Sequence, residues 1–125
     1  MQIITIRGPS SYDNLDEVKK HLMRLETMLS TKLRLVKVTM DYNVEKGLPP
    51  YDCDSKDYPF KATFETSTGE TVEIRIFCLT VGYGGGGPTC TEEILQYLQV
   101  PYEPDDIFTK RRMAPGGHIH LEYNM

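Results

Sequence analysis

Two runs of alternating residues stand on either side of Ser67-Thr68-Gly69-Glu70. In the first, Phe60, Ala62 and Phe64 interleave with Lys61, Thr63 and Glu65; in the second, Val72, Ile74 and Ile76 interleave with Glu73, Arg75 and Phe77. Side chains of a strand point to opposite faces in turn, so a period of two buries one face and wets the other, and the glycine turn predicts a hairpin. The second arm runs on through Cys78, Leu79, Thr80 and Val81. That apolar length does not suit an exposed edge and places the arm inside an antiparallel sheet.

Further strands are read at Gln2 to Arg7, Leu33 to Tyr42 and His118 to Tyr123, each with apolar residues at alternate positions. Between Leu15 and Leu29 the period changes. Leu15, Val18, Leu22, Leu25 and Leu29 recur at three- and four-residue steps opposite Asp16, Lys19, Lys20, Arg24 and Glu26, which predicts one long amphipathic helix with Asp13 as its N-cap. A short helix is expected from about Cys90 to Leu98, closed by Pro101, and a helical turn within Glu103 to Met113. The Pro-, Asp- and Tyr-rich stretch from Asn43 to Tyr58 reads as a loop. The expected fold is α+β: a mainly antiparallel sheet with one long amphipathic helix and one short helix after a glycine-rich loop, in a single domain spanning 1–125.

The chain has 125 residues, with 14 Lys plus Arg against 18 Asp plus Glu. A net charge of -4 argues against a protein that coats duplex nucleic acid, because that affinity comes from neutralised phosphates. Mean hydropathy of -0.40 leaves no room for a membrane span, and the first residues lack a basic segment followed by an apolar run. A soluble protein of the cytoplasm is expected. Cys53, Cys78 and Cys90 are odd in number and contain no CxxC pair, so they offer neither a disulfide framework nor a zinc knuckle.

Chemistry concentrates between Thr80 and Glu92, where Gly84 to Gly87 form an unbroken run. Four glycines cost conformational entropy, so their presence points to positive φ or to close approach by another group. Thr89 and Glu92 have capping-box spacing, which predicts a helix start whose free amides favour an anion. A Walker A loop is excluded because Pro88 stands at the lysine position. Gly82, Gly84 and Gly87 match a Rossmann spacing, but no apolar strand follows the helix before Pro101. The alternative is that the glycines only connect two elements.

Lys110, Arg111 and Arg112 form the one dense basic cluster, able to clamp phosphates or to sit in solvent balanced by Asp105 and Asp106. Phe77 and Tyr83 flank the glycines and can stack on a flat base. His118, His120 and Glu122 project from one strand face as part of a metal site that lacks a third strong ligand. Asp52, Asp54 and Asp57 suggest calcium, but Thr63 stands where an EF-hand loop needs Glu. No nucleophile and base can be paired by spacing, so binding is favoured over catalysis.

The order of elements, together with PheCysLeuThrValGlyTyrGlyGlyGlyGlyPro at 77–88 and AspAspIlePheThrLysArgArg at 105–112, resembles the small phage anti-Thoeris proteins that act as sponges for cyclic ADP-ribose signals. The likeness follows most of the chain, and its specific part is 77–112. It implies a non-enzymatic homo-oligomer, at least a dimer, that holds an intact cyclic nucleotide in pockets between subunits without a cofactor or metal. By that resemblance Phe77 or Tyr83 stacks on adenine, Gly84, Gly85, Gly86, Gly87 and Thr89 receive phosphate, and Arg111 or Arg112 completes the clamp. The family's ligand-contacting arginines are more separated than this adjacent pair, which leaves one of the two to solvent. Two other classes stay open: a protein-binding inhibitor or adaptor using a sheet edge and Tyr51 to Tyr58, and a nucleotide-processing enzyme using His118 and His120.

Overall fold

The computed structural model describes residues 1–7, 14–48 and 58–125. The expectations at Asp13, at Cys53, at Asp52, Asp54 and Asp57, and in the tyrosine-rich loop at 51–57, which ends at the described Tyr58, lie outside the described residues. Five strands form one sheet: β1 (Gln2–Ile6), β2 (Arg34–Asn43), β3 (Phe60–Glu65), β4 (Thr71–Ile76) and β5 (His118–Asn124), in the order β1-β4-β3-β2-β5. Helix α1 (Asn14–Leu29) connects β1 to β2, while α2 (Gly86–Tyr97) and α3 (Pro104–Phe108) connect β4 to β5. The arrangement is α+β, as the alternating and helical periods predict.

One sheet face carries the core. Ile4 and Ile6, Val38 and Met40, Phe60 to Phe64 at alternate positions, Val72 to Ile76 likewise, and Ile119 with Leu121 are buried against Val18, Leu22 and Leu25 of α1 and Ile94 and Leu95 of α2. The opposite face keeps the polar partners of each pair, including Lys61, Thr63, Glu73 and Arg75. Two layers result, with the helices sharing one side. Among the described residues, no helix is long and apolar enough to cross a membrane.

One pairing and two boundaries differ from the sequence expectation. The interior placement of β4 holds, but its neighbour β1 runs parallel to it, with Ile4 opposite Ile74, so the sheet is mixed. β4 also ends at Ile76 and not at Val81. Its antiparallel partner begins with Phe60 opposite Ile76, and beyond that pair the amide of Phe77 bonds to Ile6 O of β1 at 3.0 Å. The apolar residues that follow leave the sheet but stay inside, with Leu79 and Val81 in the core. Apolar content is the shared signature of buried strands and buried connections, so composition alone could not separate them. Finally, α2 starts at Gly86, four residues before the expected Cys90, because its first turn is built from the glycines themselves.

Candidate functional site

The segment from β4 to α2 is held at three points. Gly82 has φ 95, and its amide donates to Ile107 O at 2.8 Å, which ties the segment to α3. A side chain there would collide with Ile119 and Val44. Tyr83 then folds its hydroxyl back onto Thr80 Oγ1 at 2.7 Å. Thr91, fully buried in α2, donates to Thr80 O at 2.8 Å and lies 3.2 Å from Gly87 O. A Cβ on Gly87 would overlap Thr80 Oγ1 and come within 2.9 Å of the Tyr83 hydroxyl. The glycine run therefore answers a need for close approach, met at Gly87. Left-handed backbone is required at Gly82 and at none of Gly84 to Gly87.

No capping box forms. The N-cap is Gly85 in extended backbone with no side-chain cap, and Thr89 sits inside the first turn, donating its hydroxyl to Gly85 O at 2.8 Å. The Thr89 hydroxyl proton is thus engaged by the helix backbone. The early amides of a helix lack intrahelical acceptors, and here the first two helical residues, Gly86 and Gly87, have no side-chain cap, with Thr80 and Tyr83 packed against Gly87. Tyr83, 38% exposed, lies beside them, with its ring 3.1 Å from where a Gly85 Cβ would be.

Phe77 is placed differently. Its ring is 3% exposed, meets Tyr58 edge-on at a centroid distance of 5.6 Å, and has the Arg7 guanidinium 5.8 Å from its centre. Stacking on an incoming base is not open to a ring so enclosed, which is buried in one cluster with Tyr58 and Cys78. Tyr83 is the exposed ring of the two.

Arg111 and Arg112 converge on one carboxylate. Asp106 Oδ1 accepts from Arg111 Nε at 3.0 Å and Nη2 at 2.8 Å, and from Arg112 Nε at 3.1 Å, while Asp105 lies 3.9 Å from Arg111. The Asp106 side chain is 7% exposed, and pairing two guanidiniums stabilises its burial. The basic pair is therefore balanced by Asp105 and Asp106, one of the two arrangements expected from the sequence. Arg112 keeps its outer nitrogens free of ion pairs among the described residues. A cavity of about 170 Å³ opens beside it, lined by Asp106, His120, Glu122 and Tyr123. Larger cavities, about 590 and 330 Å³, lie elsewhere, at the C-terminal end of α1 around Met23 and Glu26.

On the open face, β2 supplies the residue that sequence spacing did not signpost. Asp41 stands opposite His120 in the β2–β5 register, 2.6 Å from its Nδ1 and 3.4 Å from His118 Nε2. Glu122 continues the row, 3.8 Å from His120 and 3.4 Å from Lys37. The one available signal was an acid set between Met40 and Tyr42 in an alternating strand. Among the described residues, no group of three His, Cys, Asp or Glu is arranged to hold a metal ion. Comparison with protein-family models, with curated proteins and with solved structures gives no match to this chain.

Proposed function

We propose that this chain is a non-enzymatic binding protein that sequesters an adenine nucleotide of the cyclic ADP-ribose class, countering a bacterial anti-phage defence from within the host cytoplasm. The observation that carries the reading is the start of α2: two glycine amides at the positive end of a twelve-residue helix, uncapped by any side chain, beside an exposed tyrosine anchored by its own hydroxyl. Backbone amides and the helix dipole favour a phosphate, and the ring offers a face to a base. The likeness at 77–88 and 105–112 supplies the nucleotide class. Because Phe77 is enclosed, Tyr83 takes the stacking role; because Arg111 is shared between Asp105 and Asp106, Arg112 is the guanidinium with nitrogens to spare. One small chain encloses little of a dinucleotide, so the pocket is shared between copies, and the assembly is at least a dimer. No cofactor enters the reading.

Calorimetric titration of the purified protein with cyclic ADP-ribose isomers tests it. Tyr83→Ala should weaken binding about tenfold or more, since removing a stacked aromatic costs roughly 1–3 kcal/mol. The nucleotide recovered by heating the complex should be chemically unchanged. Absence of heat for every adenine diphosphate tried, or wild-type affinity in the Tyr83 variant, would sink this site.

A further inference from the structure

We infer that the outer edge of β1 is a pairing surface for a second copy of this chain, joined antiparallel and centred on Ile4. The inference is argued from the sheet, and it names a surface for the assembly of at least two copies that the nucleotide reading rests on. The two edges of the sheet are treated differently. Along β5, Met113 bridges to Ile119, Ala114 donates to His118 O, and the strand itself carries His118, His120 and Glu122. These are devices that discourage a further strand. β1, Gln-Ile-Ile-Thr-Ile, has no charge and no proline, is rich in β-branched residues, and leaves Ile3 43% exposed. Among the described residues, no strand pairs with its outer side.

The register follows from the backbone. Ile6 O accepts from Phe77, so Gln2, Ile4 and Ile6 turn their polar groups toward β4, and Ile3 and Thr5 turn theirs outward. In an antiparallel ladder, hydrogen-bonded and non-bonded pairs alternate. Centring on Ile4 makes Ile3 opposite Thr5 of the second copy a bonded pair, twice over, giving about four backbone hydrogen bonds, with the two Ile4 residues as the non-bonded pair between them. A two-fold axis through that point keeps both helix layers on one side and prolongs the sheet to ten strands. Between Gln2 and Ile6 no charged side chain enters the seam, which matters for two copies of net charge -4, and charge meets only at its two ends, where Arg7 falls opposite Met1 of the other copy.

Sedimentation equilibrium of the full chain at high micromolar concentration is the test. The wild type should show twice the 14.3 kDa chain mass. Ile3→Lys with Thr5→Lys sets like charges opposite one another on the open face and should give monomer. Ile3→Lys with Thr5→Glu sets opposite charges across the same pairs and should keep the dimer. Ile3→Pro removes one outward N–H that β4 does not use, a substitution an edge strand tolerates, and should give monomer with an unchanged circular dichroism spectrum. A dimer that survives Ile3→Pro, or a Lys/Lys variant that dimerises no more weakly than the Lys/Glu one, overturns the proposal alone, and a monomeric wild type overturns it together with the shared pocket.

Discussion

At the scale of single residues, the glycines separate into those that a side chain would break and those it would not. Gly87 lies under Thr80 and Tyr83, and Gly82 combines positive φ with contact against Ile119 and Val44, whereas nothing lies within 4 Å of a Cβ on Gly84. Gly87→Ala and Gly82→Ala should each cost about 1–3 kcal/mol, through overpacking in the first case and strained backbone as well in the second. Gly84→Ala should stay within roughly 0.5 kcal/mol. Urea unfolding of the three variants checks this, and equal midpoints would contradict the contacts. That a glycine was needed here was legible from the run itself; which glycine was not. The neighbours that decide it, Thr80 and Val44, come from other parts of the fold, and no local pattern names them.

Elements were legible where their periods were clean. The hairpin of β3 and β4 and the stripe of α1 follow directly from alternation and from three- and four-residue spacing, because each buries a single face. The start of α2 was not legible, since a run of glycines carries a low helix propensity, while Pro88 falls in the first turn, where its missing N–H costs no intrahelical bond. The β2–β5 pair yields a prediction of its own. Glu122 accepts from Asn124 and pairs with Lys37, and these donors hold its carboxyl below the ordinary carboxylate value. A depressed carboxyl stabilises the fold above its unfolded pKa, and that contribution fades as pH falls through the lower folded value. Asn124→Ala should raise the Glu122 midpoint, and Lys37→Ala should do so too, toward the ordinary value, as read by carboxyl carbon shifts in an NMR titration. An unmoved midpoint in both variants refutes the pairing.

Across the whole molecule, the arginine pair shows how a correct inventory can carry an incomplete geometry. Both guanidiniums and both acids are visible within eight residues, yet only the short α3 turn decides that Asp106 is buried between them. The mixed sheet has a different consequence, for the order in which the chain assembles. β3 and β4 meet across a five-residue turn, while β1 reaches its partner, Ile4 to Ile74, only after more than half of the chain has passed. Closing so long a loop is entropically expensive before its contacts form, so the hairpin belongs to the folding nucleus and the parallel edge strand docks after the barrier is crossed. Ile74→Val should therefore slow refolding, whereas Ile4→Val, at a similar equilibrium cost of about 0.5–1.5 kcal/mol, should mainly hasten unfolding. Stopped-flow chevrons distinguish the two, and a refolding limb slowed by Ile4→Val would place the N-terminal strand in the nucleus instead.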